Sequence, residues 1–387
     1  MGLERRGRDL DGPKRGGPAR ADAEEARALV RWFLAEAREM PWRTPPLGSP
    51  RDPYRVLVSE LMLQQTQVAR VAPAFERFMA RFPTVADLAG AAEPEVLALW
   101  SGLGYYRRAR LLHAAARCVL AEHGGEVPRT RETLLHLPGL GPYTASAVAS
   151  LAFHEPVAMV DGNVTRVMLR LMGRRGSASD PKQIAWARER ADGFVRSAGK
   201  RPGPALAAEA LMELGATVCK PRSPRCEACP LAHACIARAK GLTGVIPSPK
   251  RVKATPVVWA VSVVIEDSQG RIAIETRPAK GMWASMVQAP TIEWTEGERT
   301  GTGRDAAEVA REALGLAPSA KLSERERFTH QTTHRRFEFT VLTLRVSERT
   351  KRSIERARPG VMWATREEIA EMALSSVQAG ILLGRAR

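Results

Sequence analysis

Two carboxylates, a glycine hairpin and four close cysteines are the residues whose types and spacing could do chemistry in this chain. Glu60 sits in Ser59-Glu60-Leu61-Met62-Leu63-Gln64-Gln65-Thr66-Gln67, with Val56, Leu57 and Val58 just before it. A carboxyl among such neighbours either lies on a solvated stripe or turns into a cleft, where burial raises its pKa. Asp161 opens Asp161-Gly162-Asn163, a pattern of turns and helix N-caps. As a pair they suit cleavage of a glycosidic bond: one gives a proton to the leaving group, and the other stays ionised beside an oxocarbenium-like sugar. The hairpin is Leu137-Pro138-Gly139-Leu140-Gly141-Pro142-Tyr143-Thr144. Gly139 and Gly141, bracketed by prolines, cannot continue a helix. With a small-residue helix behind them they can present backbone N–H groups to a phosphate, or form an ordinary helix–turn–helix connection.

Cys219, Cys226, Cys229 and Cys235 follow a C-x6-C-x2-C-x5-C spacing within 17 residues. Four thiolates so close can enclose one site, either a zinc ion or a [4Fe–4S] cluster. The one other cysteine is Cys118. Lys220, Arg222, Arg225 and Arg238 lie within or beside the loop.

The elements that must position these groups belong to a chain of 387 residues, 44% hydrophobic and with a formal net charge of +17. That length holds two cores, and the basic excess points to a polyanionic partner, nucleic acid before membrane surface. No apolar run approaches the length that spans a bilayer. An intracellular, reducing location is expected, in which the five cysteines are ligands or free thiols rather than disulfides. Residues 1–21 are Arg-, Gly- and Pro-rich and are expected to be a disordered basic tail. Residues 22–240 read as one all-α domain. Its helices include 23–37, two within 54–82 with Pro73 starting the second, 105–123, and one behind the hairpin. Residues 241–254 read as a basic linker. From 255 to 387 the pattern turns to α+β, with strands at 257–266, 271–276 and 336–346 and helices at 306–314 and 365–372.

The segments SELMLQQTQV, WSGLGYYRRARLLHAAA, LPGLGPYTASAV, VDGNVTRV and the cysteine pattern, in that order, make residues 22–240 resemble the adenine DNA glycosylases of the MutY family. That family belongs to the helix-hairpin-helix superfamily that includes endonuclease III. The resemblance implies removal of adenine mispaired with 8-oxoguanine or guanine in double-stranded DNA. Glu60 would be the general acid and Asp161 the carboxylate that stabilises the sugar cation. Tyr143 would stand near the reaction centre, with Arg43 and Glu209 lining the adenine pocket and Asn163 beside the substrate. Gln65 and Tyr105 would fill or probe the gap at the mispair. The four cysteines would hold a [4Fe–4S] cluster. Flipping the adenine out while the hairpin of Gly139 and Gly141 holds the strand fits this chemistry. In the endonuclease III relatives a lysine stands two residues after the second glycine; Tyr143 occupies that place and cannot form an imine. A monofunctional, monomeric glycosylase follows, acting on chromosomal DNA.

Residues 255–387 resemble, more loosely, the Nudix-like domain with which this family reads 8-oxoguanine. The stretch from Glu308 to Leu316 lacks the paired metal-binding carboxylates of a Nudix box, so pyrophosphatase activity is not expected. Thr332-Thr333-His334 stands where relatives often carry Phe-Ser-His, which makes Thr333 and His334 the lesion contacts. A second register places Phe328-Thr329-His330 there. The competing readings are an endonuclease III-like glycosylase/lyase for oxidised pyrimidines, a non-catalytic DNA-binding protein, and a Nudix hydrolase with a helical appendage.

Overall fold

The computed structural model describes residues 18–201, 203–249, 255–295, 305–332 and 335–384, the first four of these by backbone alone. The chain begins with helices α1 (Pro18–Glu36), α2 (Pro53–Leu63), α3 (Val68–Arg81), α4 (Val85–Gly90), α5 (Glu93–Leu99) and α6 (Arg107–Glu122). There follow α7 (Arg131–Leu134), α8 (Pro142–Phe153), α9 (Gly162–Leu171), α10 (Pro181–Ser197), α11 (Pro204–Thr217) and α12 (Ile236–Ala239). The remainder is β1 (Val257–Glu266), β2 (Ile272–Thr276), β3 (Val287–Gln288), β4 (Thr291–Thr295), α13 (Ala306–Ala313), β5 (Ser323–Gln331), β6 (Arg336–Arg345), α14 (Glu348–Ala357), β7 (Val361–Ala364), α15 (Arg366–Ala370) and α16 (Ser376–Leu383). The all-α and α+β readings of the two parts both hold.

Three expectations need correction. Helix α1 starts at Pro18, inside the stretch expected to be a disordered tail, while residues 1–17 lie outside the described residues. Pro73 does not start α3; it lies inside it, after a first turn that begins at Val68. Its missing N–H falls near the helix start, where the cost of losing a bond is outweighed by burial of Val71, Ala74, Phe75, Phe78 and Met79 on one face. The supposed linker is not free up to residue 249. Ile246 is buried with Leu169 and Ala237, its carbonyl accepts from Arg170 Nε at 2.7 Å, and Ser248 N donates to Gly176 O at 2.8 Å.

The described residues fall into two compact units, those within 1–61 with 118–251 and those within 62–117 with 252–387. In the first, α9 packs on α10, α11 and α12, and α1 on α10 and α11. Helix α8 is built of Ala, Ser and Thr, and is buried almost all round from Thr144 to Ala152. Small side chains let neighbouring helices approach it on every side.

In the second unit a seven-stranded mixed sheet runs β3-β2-β1-β6-β5, with β4 also paired to β1 and β7 to β2. Strands β1 and β6 are parallel, from Val257 opposite Arg336 to Glu266 opposite Arg345. Both faces of β1 are covered, which explains its continuous run of Val and Ile. One face buries Val258, Ile274 and Phe339 with Val377 and Ile381 of α16. The other buries Val261, Val263 and Leu344 with Val309 of α13 and Ile354 of α14.

Candidate active site

Glu60 is fixed by α2. The apolar neighbours Val56, Leu57, Val58, Leu61 and Met62 are all buried, and Glu60 goes in with them at 5% exposure. Tyr143, in the first turn of α8, donates its hydroxyl to Glu60 Oε2 at 2.8 Å. Burial drives the Glu60 carboxyl up to about 7. The Tyr143 hydrogen bond and the charge of Arg51 pull against that rise, and the charges of Glu209 and Asp161 add to it. Burial also keeps the Tyr143 phenol well above its ordinary pKa, reinforced by the charges of Glu60 and Asp161. It therefore stays a donor at any working pH.

Asp161 is the N-cap of α9, as the Asp-Gly-Asn turn suggests. Oδ1 accepts from the backbone N–H groups of Asn163 and Val164, both at 2.8 Å, and Oδ2 accepts from Asn163 Nδ2 at 2.7 Å. Burial raises its pKa, and those three donors and the Arg166 charge oppose the rise. The two carboxylates are thus dressed differently: Glu60 is buried with one neutral donor, and Asp161 is held by three donors at a positive helix end. Such a contrast separates an acid from a carboxylate that stays charged.

Asn163, expected at the substrate, spends both ends of its amide inside the protein. Its Oδ1 accepts from Arg166 Nη2 at 2.9 Å. The buried Arg166 also donates to Gly215 O at 2.9 Å and Cys219 O at 2.8 Å. One turn on, the buried Arg170 donates to Lys220 O at 2.6 Å and Pro221 O at 2.9 Å, with Nη1 3.5 Å from Cys219 Sγ. These contacts run without a break from the Asp161 carboxylate to the cysteine loop. Gly215 on α11 makes room for them, because a Cβ there would stand 2.9 Å from Asn163 Cβ.

Arg43 and Glu209 do meet, at 2.9 Å. Arg43 also pairs with Glu213 at 2.8 Å and donates to Arg38 O at 2.6 Å, and Arg51 donates to both oxygens of Glu209. Arg38 closes the set on Glu213 at 2.6 Å. Burial pushes the Glu213 pKa up, but the Arg38 hydrogen bond and the nearby Arg43 charge hold it below the usual value. Arg38, Arg51 and Glu213 escaped the sequence reading. Only the four-residue spacing of Glu209 and Glu213 on one helix face hinted that they act together.

In the hairpin, Gly139 takes the left-handed φ of +79° that a side chain disfavours. Gly141 is extended, caps α8 with no side chain, and has open space where a Cβ would be. The helix start is therefore bare, as an anion site requires.

Gln65 and Tyr105 belong to the other unit. Both are exposed, Tyr105 at 44%, and both take left-handed backbone conformations, with φ of 54° and 50°. Such a conformation costs an L-residue about 1–2 kcal/mol. Buried Arg108 holds both turns: it donates to the carbonyls of Met62 at 2.8 Å, Gln64 at 2.5 Å, Leu103 at 3.2 Å and Gly104 at 2.9 Å, and to Thr66 Oγ1 at 3.0 Å. Sequence reasoning missed Arg108 as well.

The four cysteines line one pocket with Arg170 and Val218. No three of them lie within 4.8 Å of one another; the one described group that tight is Cys118, Glu122 and His123. Thr333 and His334 lie outside the described residues, between β5 and β6 in the sequence. His330 lies within β5, opposite Phe337 and 5.9 Å from the Trp283 ring, and Phe328 stacks on Phe339 at 5.1 Å.

Residues 58–190 match the model of the HhH-GPD superfamily of base excision DNA repair proteins, 219–235 that of the iron–sulfur binding domain of endonuclease III, and 261–383 that of the NUDIX domain. The chain is 33% identical to the adenine DNA glycosylase of Homo sapiens, over 90% of this chain and 71% of that protein. It is 44% identical to the adenine DNA glycosylase of Mycolicibacterium smegmatis, over 53% of this chain and 67% of that one. A thermostable thymine-DNA glycosylase superposes with a TM-score of 0.50 at 30% identity, covering 57% of this chain and 98% of that structure.

Proposed function

The chain belongs to the adenine DNA glycosylases of base excision repair, and from that premise we propose that Glu60 and Asp161 excise adenine opposite 8-oxoguanine or guanine and leave the strand intact. The observation that carries this reading is the buried Glu60 carboxyl under the Tyr143 hydroxyl, with a pKa near neutrality. As the bond from the sugar C1′ to adenine breaks, its electron pair leaves with the base and the Glu60 proton follows it. The sugar's positive charge develops beside the Asp161 carboxylate. Water then adds to C1′ and gives up a proton. DNA is the substrate, and the bare hairpin of Gly139 and Gly141 supplies N–H donors for its backbone. The net charge of +17 supports a monomer working on chromosomal DNA inside the cell.

Cys219, Cys226, Cys229 and Cys235 belong to an iron–sulfur site. We assign it a [4Fe–4S] cluster with one cysteine per iron. A tetrahedral zinc with Zn–S bonds of about 2.3 Å needs sulfurs roughly 3.8 Å apart, and these four are spread wider. The buried Arg166 and Arg170 supply positive charge beside the thiolates. Anaerobically purified protein should carry about four irons per chain and absorb broadly in the visible. One zinc and no iron would overturn the assignment.

The discriminating assay is base release from duplexes with adenine opposite 8-oxoguanine, guanine or thymine, alongside a duplex carrying an oxidised pyrimidine. Adenine should leave fastest opposite 8-oxoguanine, nicks should appear only after alkali, and borohydride should trap nothing. Trapping with alkali-independent nicking would favour the glycosylase/lyase reading. His330 and Phe328 are engaged along β5, which favours Thr333 and His334, between β5 and β6 in the sequence, as the lesion contacts. His334→Ala should then reduce the preference for 8-oxoguanine over guanine several-fold, and His330→Ala should not. The reverse result would move the lesion contact to the strand.

A further inference from the structure

Tyr106, directly after the exposed Tyr105, immediately precedes α6, and Arg110 lies one turn on in the helix. Neither is used by the chemistry above. Tyr106 is 6% exposed, and its hydroxyl donates to the carbonyl of Leu374 at 2.8 Å. Burial raises the Tyr106 phenol above its ordinary pKa, and Ser101 and the Gly102 backbone nearby oppose the rise. Arg110 donates Nη2 to Ala284 O at 2.6 Å and is aimed there by Glu93, which takes its Nε at 2.7 Å.

Both acceptors are backbone carbonyls in the C-terminal half of this unit, and both sit at informative places. Leu374 is bridged to Val287 and lies in the core on one face of the sheet. Ala284 lies between Trp283 and Ser285, each in a left-handed conformation with φ of 54°. The Trp283 ring packs on Phe337 of β6 at 5.0 Å and His330 of β5 at 5.9 Å. On the other side of the same helix start, Arg108 holds the turns of Gln65 and Tyr105. Five successive residues thus touch the segments beside the sheet through 106 and 110 and the probe turns through 108.

We propose that the start of α6 is a strut through which the C-terminal sheet sets the position of Gln65 and Tyr105, with Tyr106 and Arg110 as specificity-determining positioning residues. The strut favours excision when the sheet is seated on 8-oxoguanine and loses its effect opposite guanine. This rests on the proposed reading of the mispair by those parts.

The test uses the full chain and single-turnover adenine release opposite 8-oxoguanine and opposite guanine. Tyr106→Phe removes one hydroxyl, leaves the ring in place, and strands the buried Leu374 carbonyl. It should lower the rate opposite 8-oxoguanine about fivefold or more while moving the rate opposite guanine less than twofold. Arg110→Met should do the same, and Arg110→Lys, which can still reach a carbonyl, should restore part of the preference. If neither Tyr106→Phe nor Arg110→Met alters the ratio of the two rates, or if both rates fall together, the strut is overturned. Failure of the underlying reading shows separately, as a wild-type protein with no preference between the two duplexes. A double variant with His334→Ala should lose no more preference than the worse single variant, since both act on one path. Additive losses would place them on separate paths and also overturn the proposal.

Discussion

Glu60→Gln should lower single-turnover adenine release by roughly 10²–10⁴-fold, the usual weight of a general acid. Glutamine keeps the shape of the buried side chain and still accepts the Tyr143 hydroxyl, so binding of the duplex should survive. What is lost is the proton. The same argument fixes the pH dependence of the wild type. With its pKa raised to about 7, Glu60 is protonated and competent below that pH, and it loses its proton above it. The rate should be level on the acid side and fall about tenfold per pH unit once pH passes well above 7. Excision by Glu60→Gln at near wild-type rate, or a wild-type rate flat from about one pH unit below the Glu60 value to about two units above it, would remove Glu60 from the role.

The second large effect concerns Asp161, where cap and charge can be separated. Asparagine caps a helix about as well as aspartate. Asp161→Asn can therefore keep Oδ1 on the N–H groups of Asn163 and Val164 while removing the negative charge. Thermal unfolding should move little, and single-turnover excision should fall by about 10²–10³-fold, as when one electrostatic partner of a transition state is removed. Asp161→Ala should lose both. If Asp161→Asn instead unfolds with near-normal residual activity per folded molecule, Asp161 is only a cap.

What the sequence disclosed was local. Glu60 inside an apolar run, Asp161 in its turn, the paired glycines and the four cysteines each announce themselves within a short window, and the structure puts Tyr143 on Glu60 and Asp161 at a helix start. What stayed hidden was the partner of each group. Arg51 reaches Glu209 across 158 positions and Arg43 reaches Glu213 across 170, and no periodicity encodes such a pairing. Arg166 and Arg170 look like a solvated stripe of α9; they are buried because carbonyls of the cysteine loop and of Ile246 meet them. Strand β5 failed for a different reason. Ser-Glu-Arg-Glu-Arg has no apolar alternation, and the strand exists because it pairs with β6 at the sheet edge, where charged side chains face solvent. The polar α14 was missed likewise, since Lys351 and Ile354 alone turn inward.

The division into compact units carries a consequence for how the protein is made. Each unit is assembled from two stretches that are not neighbours in the chain. On a ribosome, α3, α4 and α5 emerge early, with apolar faces such as that of Val71, Phe75 and Phe78. The sheet that completes their unit emerges only after the whole of 118–251 has been synthesised. At about 5–20 residues per second that wait lasts many seconds, far longer than a helix needs to form. A message cut short before residue 252 would thus release residues 62–117 without the sheet that completes their compact unit.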